Sequence, residues 1–175
     1  RIILNQYLGM TKKNQKIRNA TICKSGSITF KSQLEKMTYN TLVEQGFNPT
    51  YEPIQITLWD GFIPITPYYD EESQTHYNRR KENGDNSPKM LVQKNSKIIG
   101  IRYTCDFYVR YNDIDVWIES KSIENDVFYI KKKMFIKYLD NKYLQTGQKS
   151  LYFEVHSKKQ VLQMIDIIKN YEKSI

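Results

Sequence analysis

Between residues 32 and 45, Leu34, Met37, Thr38, Thr41, Leu42 and Gln45 recur at three- and four-residue steps, the spacing of one helical face. Ser32-Gln33-Leu34-Glu35 opens this stretch with the form of a capping box, in which a hydroxyl and a carboxylate three residues apart satisfy each other's backbone N–H groups. Gly46 then stops the pattern as a C-cap glycine does. A helix from Ser32 to Gln45 is predicted. Tyr51 to Ile65 is rich in Ile, Thr, Trp and Phe, with Asp60-Gly61 as a hairpin signal in the middle and Pro53 and Pro64 near its ends, so two short strands are expected there. Ile98 to Tyr111 and Val116 to Ser122 are β-branched and aromatic and are joined by Asn112-Asp113-Ile114-Asp115, which is turn chemistry and predicts a second hairpin. Asp126 to Tyr138 carries Ile130, Met134 and Tyr138 at helical spacing, Leu151 to His156 reads as a strand, and Ser157 starts a last helix with Val161, Ile165 and Ile168 inward. The expected order is α, β-hairpin, β-hairpin, α, β, α.

Two polar stretches interrupt these patterns. Thr11 to Lys24 holds Lys12, Lys13, Lys16, Arg18 and Lys24 without periodicity, and residues 1–27 read as a basic amino-terminal arm. Asp70 to Lys97 collects Arg79, Arg80, Asn83, Gly84, Asp85, Asn86, Ser87 and Pro88, and reads as a long loop inserted at about 70–97 in a single domain over 28–175.

With 175 residues, 39% of them hydrophobic, the chain is long enough to bury about two thirds of its unfolded surface, so one compact domain is the default. Its longest apolar runs, such as Ile98 to Ile101 and Val161 to Ile168, fall far short of the roughly 20 residues of a membrane span, and no membrane partner is expected. Arg1-Ile2-Ile3-Leu4 lacks the order of a secretory signal, and Cys23 and Cys105 are too few for a disulfide framework, so a reducing cytoplasm is expected. The 27 Lys and Arg against 19 Asp and Glu give +8, which draws polyanions, nucleic acid foremost. Lys outnumbers Arg by 21 to 6 beside many Asn, Ile and Tyr, a composition that an AT-rich genome also writes into any protein.

Alternation along Val116-Trp117-Ile118-Glu119-Ser120-Lys121 puts Trp117, Glu119 and Lys121 on one face and Val116 and Ile118 on the other. Asp106, between Cys105 and Phe107 in the partner strand, comes roughly level with Glu119 when the strands pair about the 112–115 turn. Two acids and one base then share a patch. Phosphodiester hydrolysis uses that set: carboxylates hold Mg²⁺, the metal takes up phosphate charge and lowers the pKa of a bound water, and a Lys orients or deprotonates the nucleophile. Paired charges on the wet face of an antiparallel sheet give the same pattern for structural reasons.

Three ordered blocks carry a family resemblance over about residues 28–168: Ile28-Thr29-Phe30-Lys31-Ser32-Gln33-Leu34-Glu35, Ile101-Arg102-Tyr103-Thr104-Cys105-Asp106-Phe107, and Trp117-Ile118-Glu119-Ser120-Lys121-Ser122 followed by Lys131-Lys132-Lys133. An Asp, then Glu-x-Lys on the next strand, with an acidic residue on a preceding helix, resembles the PD-(D/E)xK nuclease superfamily. Within it the chain looks most like phage and prophage proteins grouped with junction-resolving and recombination endonucleases. The resemblance implies an α/β fold with a restriction-endonuclease-like core, a central mixed β-sheet flanked by helices. It also implies that Asp106 and Glu119 bind metal, that Lys121 is the catalytic lysine, and that Glu35 is a helix-borne catalytic acid completing the metal shell. Glu35 has a rival, purely structural role in the capping box, and Gln55 is a weaker candidate. Two departures stand: Cys105 replaces the superfamily's proline, and Ser122 stands where a glycine commonly follows the lysine.

Lys131, Lys132, Lys133 and Lys137 follow the site on a helix and, with Lys12 and Lys13 of the arm, are candidate phosphate contacts; a solvated helix face explains the former equally well. Tyr129 is a candidate for stacking on unpaired bases. His76 and His156 form no zinc pattern with the two Cys, and no Gly-rich phosphate loop or nucleophile elbow occurs. The expectation is a Mg²⁺-dependent endodeoxyribonuclease, with Mn²⁺ as a substitute, acting on branched or structured phage DNA in the cytoplasm of a bacterial host. A homodimer is expected by analogy alone. Two alternatives remain: a nuclease fold with a weakened site serving as a DNA-binding or assembly component of a phage or transposition complex, and a structural phage protein whose basicity is genomic.

Overall fold

The computed structural model describes residues 22–121 and 126–171. In chain order these form β1 (Cys23–Ser25), β2 (Ile28–Phe30), α1 (Gln33–Glu44), β3 (Thr50–Tyr51), β4 (Ile56–Trp59), β5 (Tyr68–Glu71), α2 (Gln74–Glu82), β6 (Leu91–Lys94), β7 (Ile101–Tyr103), β8 (Phe107–Tyr111), β9 (Ile114–Ser120), α3 (Asp126–Thr146), β10 (Ser150–Val155) and α4 (Lys158–Asn170). They divide into two compact units, residues 55–103 and the remainder. Most of the expected basic arm lies outside the described residues; its last part, Cys23–Ser25, pairs with Ile28–Phe30 as an antiparallel hairpin.

The larger unit is α/β. Its four-stranded sheet runs β10-β9-β8-β3, with β10 parallel to β9 and the other pairs antiparallel, so the sheet is mixed. Phe107, Val109, Ile114, Val116, Ile118 and Val155 alternate onto one face and pack with Phe30, with Leu42 of α1 and with Val161, Met164, Ile165 and Ile168 of α4. On the opposite face, Trp117 meets Tyr108 and Phe135 of α3, and Phe135 also meets Tyr152. Helices therefore cover both faces of the sheet. α1 begins where expected, since the Ser32 side chain accepts the Glu35 N–H, and Gly46 at φ 84 follows its end. α4 is capped by Ser157 in the same manner.

The smaller unit corrects two expectations. Asp60-Gly61 is not a hairpin tip, because β4 pairs with β7 instead, and Phe62 bridges Ile98 beyond it. The glycine there serves a close backbone approach: a Cβ on Gly61 would lie 2.6 Å from the Ile98 carbonyl oxygen, and one on Gly100 would lie 2.5 Å from that of Trp59. The 70–97 stretch is not a loop but a folded piece, β5 and β6 paired antiparallel with α2 between them. α2 buries no residue of its own. Its Arg80 instead reaches the carboxylates of Glu72 and Asp85, and Glu72, buried, also accepts from the His76 ring and from the Met90 N–H. A polar clamp takes the place of an apolar stripe.

Candidate active site

The β8–β9 hairpin sets the register of the site. Its turn is tighter than expected: Tyr111 pairs with Ile114 across Asn112 and Asp113, with Asn112 at φ 48, a left-handed conformation that Asn tolerates better than most residues. Counting back, Phe107 pairs with Ile118, which leaves Asp106, at the bend ahead of β8, level with Glu119. Three bonds fix that bend. The Asp106 carbonyl accepts the Glu52 N–H at 2.8 Å, its Oδ2 accepts the Ser120 N–H at 2.8 Å, and the Cys105 thiol donates to the Ile118 carbonyl at 3.1 Å. The Cys105 thiol thus ties the two strands together.

Glu119 is only 5% exposed, and the Lys121 ammonium lies 3.2 Å from its Oε1 and 4.3 Å from the centre of the Phe128 ring. The Lys121 N–H continues the parallel ladder past β9 by donating to the Val155 carbonyl at 3.0 Å. Burial first, then the charges of Glu119 and Glu35, push the Asp106 carboxyl up to about 8, against the Ser120 hydrogen bond and the Lys121 charge, which lower it. Asp106 and Glu119 therefore share one field of negative charge that the Lys121 ammonium offsets only in part.

Glu35 is buried and fully engaged. Its Oε1 accepts the Ser32 hydroxyl at 3.0 Å, and its Oε2 accepts the Tyr51 hydroxyl at 2.6 Å and the Lys31 N–H at 3.0 Å. Burial and this carboxylate together push the Tyr51 phenol above its ordinary range. Glu35 also raises Lys31, although the partner that raises Lys31 most is Glu52, with which it forms an ion pair. Glu35 thus caps α1 and turns toward the β3 edge at once, and its charge reaches Asp106.

Among the described residues, no three His, Cys, Asp or Glu side chains are grouped so as to hold a metal ion. Mg²⁺ nevertheless needs only one or two carboxylates when waters and substrate phosphates complete its shell. Asp106 and Glu119 match that donor set, since a divalent cation would offset the burial and the neighbouring carboxylates that drive Asp106 toward its neutral form.

The candidate phosphate contacts separate. Lys133 and Lys137 are exposed on α3 and Lys131 is half-buried, whereas Lys132 forms an ion pair with Glu154 of β10. Tyr129 is exposed. Lys12 and Lys13 lie outside the described residues. The Gln55 side-chain Oε1 accepts from the Arg102 guanidinium within the smaller unit. Two residues escaped the sequence reading. Glu154 pairs in parallel register with Glu119, and His156 lies 3.2 Å from it, so Glu154-Val155-His156 repeats on β10 the Glu119-Ser120-Lys121 pattern of β9. The second acid-x-base triplet was the available signal.

Comparison with family profiles, with curated proteins and with solved structures found no match to this chain. No helix among the described residues is long and apolar enough to cross a membrane.

Proposed function

We propose that the chain is a Mg²⁺-dependent nuclease that hydrolyses DNA phosphodiester bonds at the head of the β8–β9 hairpin. The reading rests on one observation: where strand pairing ends, on a mixed sheet flanked by helices, Asp106 comes level in register with Glu119, and Lys121, two residues on, is ion-paired with Glu119. Asp106 and Glu119 would hold the ion, which would supply charge neutralisation at the phosphate and a water of lowered pKa. The Ser120 N–H holds Asp106 Oδ2 and so orients the carboxylate. Lys121 Nζ, steered by Glu119 and by the Phe128 ring, is the group that moves or holds the proton of the nucleophile. Glu35 acts through position and charge from its place at the start of α1. Branched or structured DNA is the substrate class carried by the resemblance.

A second reading has its own support. Asp106 raised to about 8 favours a nuclease fold with a weakened site that binds DNA without cutting it. Incubating linear, supercoiled and four-way-junction DNA with Mg²⁺ or Mn²⁺ decides between them. Cleavage lost in Glu119→Ala and Lys121→Ala supports the enzyme; an inactive wild type on every substrate removes it, and cutting that survives both substitutions removes this site.

A further inference from the structure

We propose that Lys132 and His156, held on the two oxygens of Glu154, form a second phosphodiester-binding subsite, one strand over from the Asp106 and Glu119 pair. The ligand class rests on the nuclease reading; the subsite itself rests on the parallel register of β9 and β10. Glu119 pairs with Glu154, so both side chains leave the same face of the sheet, one interstrand step of about 4.8 Å apart. The ladder continues through the Lys121 N–H to the Val155 carbonyl, which brings Lys121 and His156 out at the same level.

Glu154 has a side chain only 10% exposed, with Lys132 Nζ 2.5 Å from its Oε2 and His156 Nε2 3.2 Å from its Oε1. The side chains of the two donors are 30% and 40% exposed. The acid lies inside and the bases outside, so the carboxylate fixes the ring and the ammonium while both face solvent. Glu154 offsets the Lys132 charge, and the cluster alone is a weak anion site. It suits a ligand already anchored next door: the backbone of a strand whose scissile phosphate lies at Glu119, with a neighbouring phosphate reached by Lys132 and His156.

The test is binding of a fluorescein-labelled DNA duplex, followed by anisotropy in EDTA across a salt series. His156→Gln and Lys132→Gln are each expected to weaken binding several-fold and to reduce the slope of log K against log salt by about 0.9, the loss of one phosphate contact. Because Lys132 also docks α3, the exposed His156→Gln variant carries the decision, with melting temperature as the control for Lys132→Gln. His156→Gln that matches wild type in affinity and slope overturns the subsite, as does a wild type that binds no duplex. A wild type that shows the His156 dependence but never cuts with Mg²⁺ removes the nuclease reading and leaves the subsite standing; cleavage without His156 dependence does the reverse.

Discussion

Ser120 joins Asp106 to the helix layer: its N–H donates to Asp106 Oδ2 at 2.8 Å, while its hydroxyl donates to Thr38 Oγ1 of α1 at 3.0 Å. Both hydroxyls are buried. Thr38→Val keeps the shape and leaves the Ser120 hydroxyl without its acceptor, so a loss of about 1–3 kcal/mol is expected in urea denaturation. The double variant Thr38→Val with Ser120→Ala should recover part of that loss. Strictly additive costs would show that the two hydroxyls do not act as a pair.

The raised Asp106 carboxyl predicts an unusual pH dependence. Its folded value of about 8 lies above an unfolded value of about 3.9, so the folded state binds the extra proton between them. The stabilisation is complete below about pH 4 and is lost as pH rises through about 8. In metal-free buffer the melting temperature should therefore fall over this range, and Asp106→Asn should flatten the fall. Mg²⁺ should raise the melting temperature more at pH 8 than at pH 5, because it favours the charged form. A wild type and an Asp106→Asn variant with parallel profiles would remove the assignment.

Glu35 and Lys121 should separate in kinetics. Lys121→Ala is expected to slow cleavage by about 10²–10⁴, the usual worth of a positioned proton-transfer group. Tyr51→Phe removes one hydrogen bond from the Glu35 carboxylate and should cost stability of about 1.5–3 kcal/mol while leaving the cutting rate within a few-fold of wild type. A Tyr51→Phe rate as low as that of Lys121→Ala would move Glu35 and Tyr51 into the chemistry itself.

The clamp in the smaller unit titrates with the opposite sign. Arg80 first, then His76 and the Met90 N–H, hold the Glu72 carboxyl down at about 2, so its contribution is present above the unfolded value and is lost as pH falls from about 4.5 toward 2. Glu72→Gln should open the β5–α2–β6 piece at neutral pH, read as fast amide exchange over residues 68–94 with the exchange of β8 to β10 unchanged. Unaltered protection there would show that the clamp is dispensable.

Elements with local signals were legible in the chain. α1 and α4 announce themselves by a capping serine and an apolar face, and the β8–β9 hairpin by turn residues and alternation, which sufficed to place Asp106 against Glu119. α2 was invisible because no apolar stripe marks it; Glu72 and Arg80, eight residues apart, hold it instead. Glu154 and His156 were invisible for another reason. Parallel pairing brings them beside Glu119 and Lys121 only after the chain has passed through all of α3, and no local pattern encodes that crossover. The Asp60-Gly61 signal was real but misdirected, since glycine is wanted wherever backbones come close as well as where they turn.

That closeness makes Gly61 and Gly100 a matched lock. Each occupies the space the other's missing side chain vacates, so a methyl at either position must separate β4 from β7 rather than displace a pliable side chain. The crossing of these two strands therefore holds its spacing only while both positions remain bare.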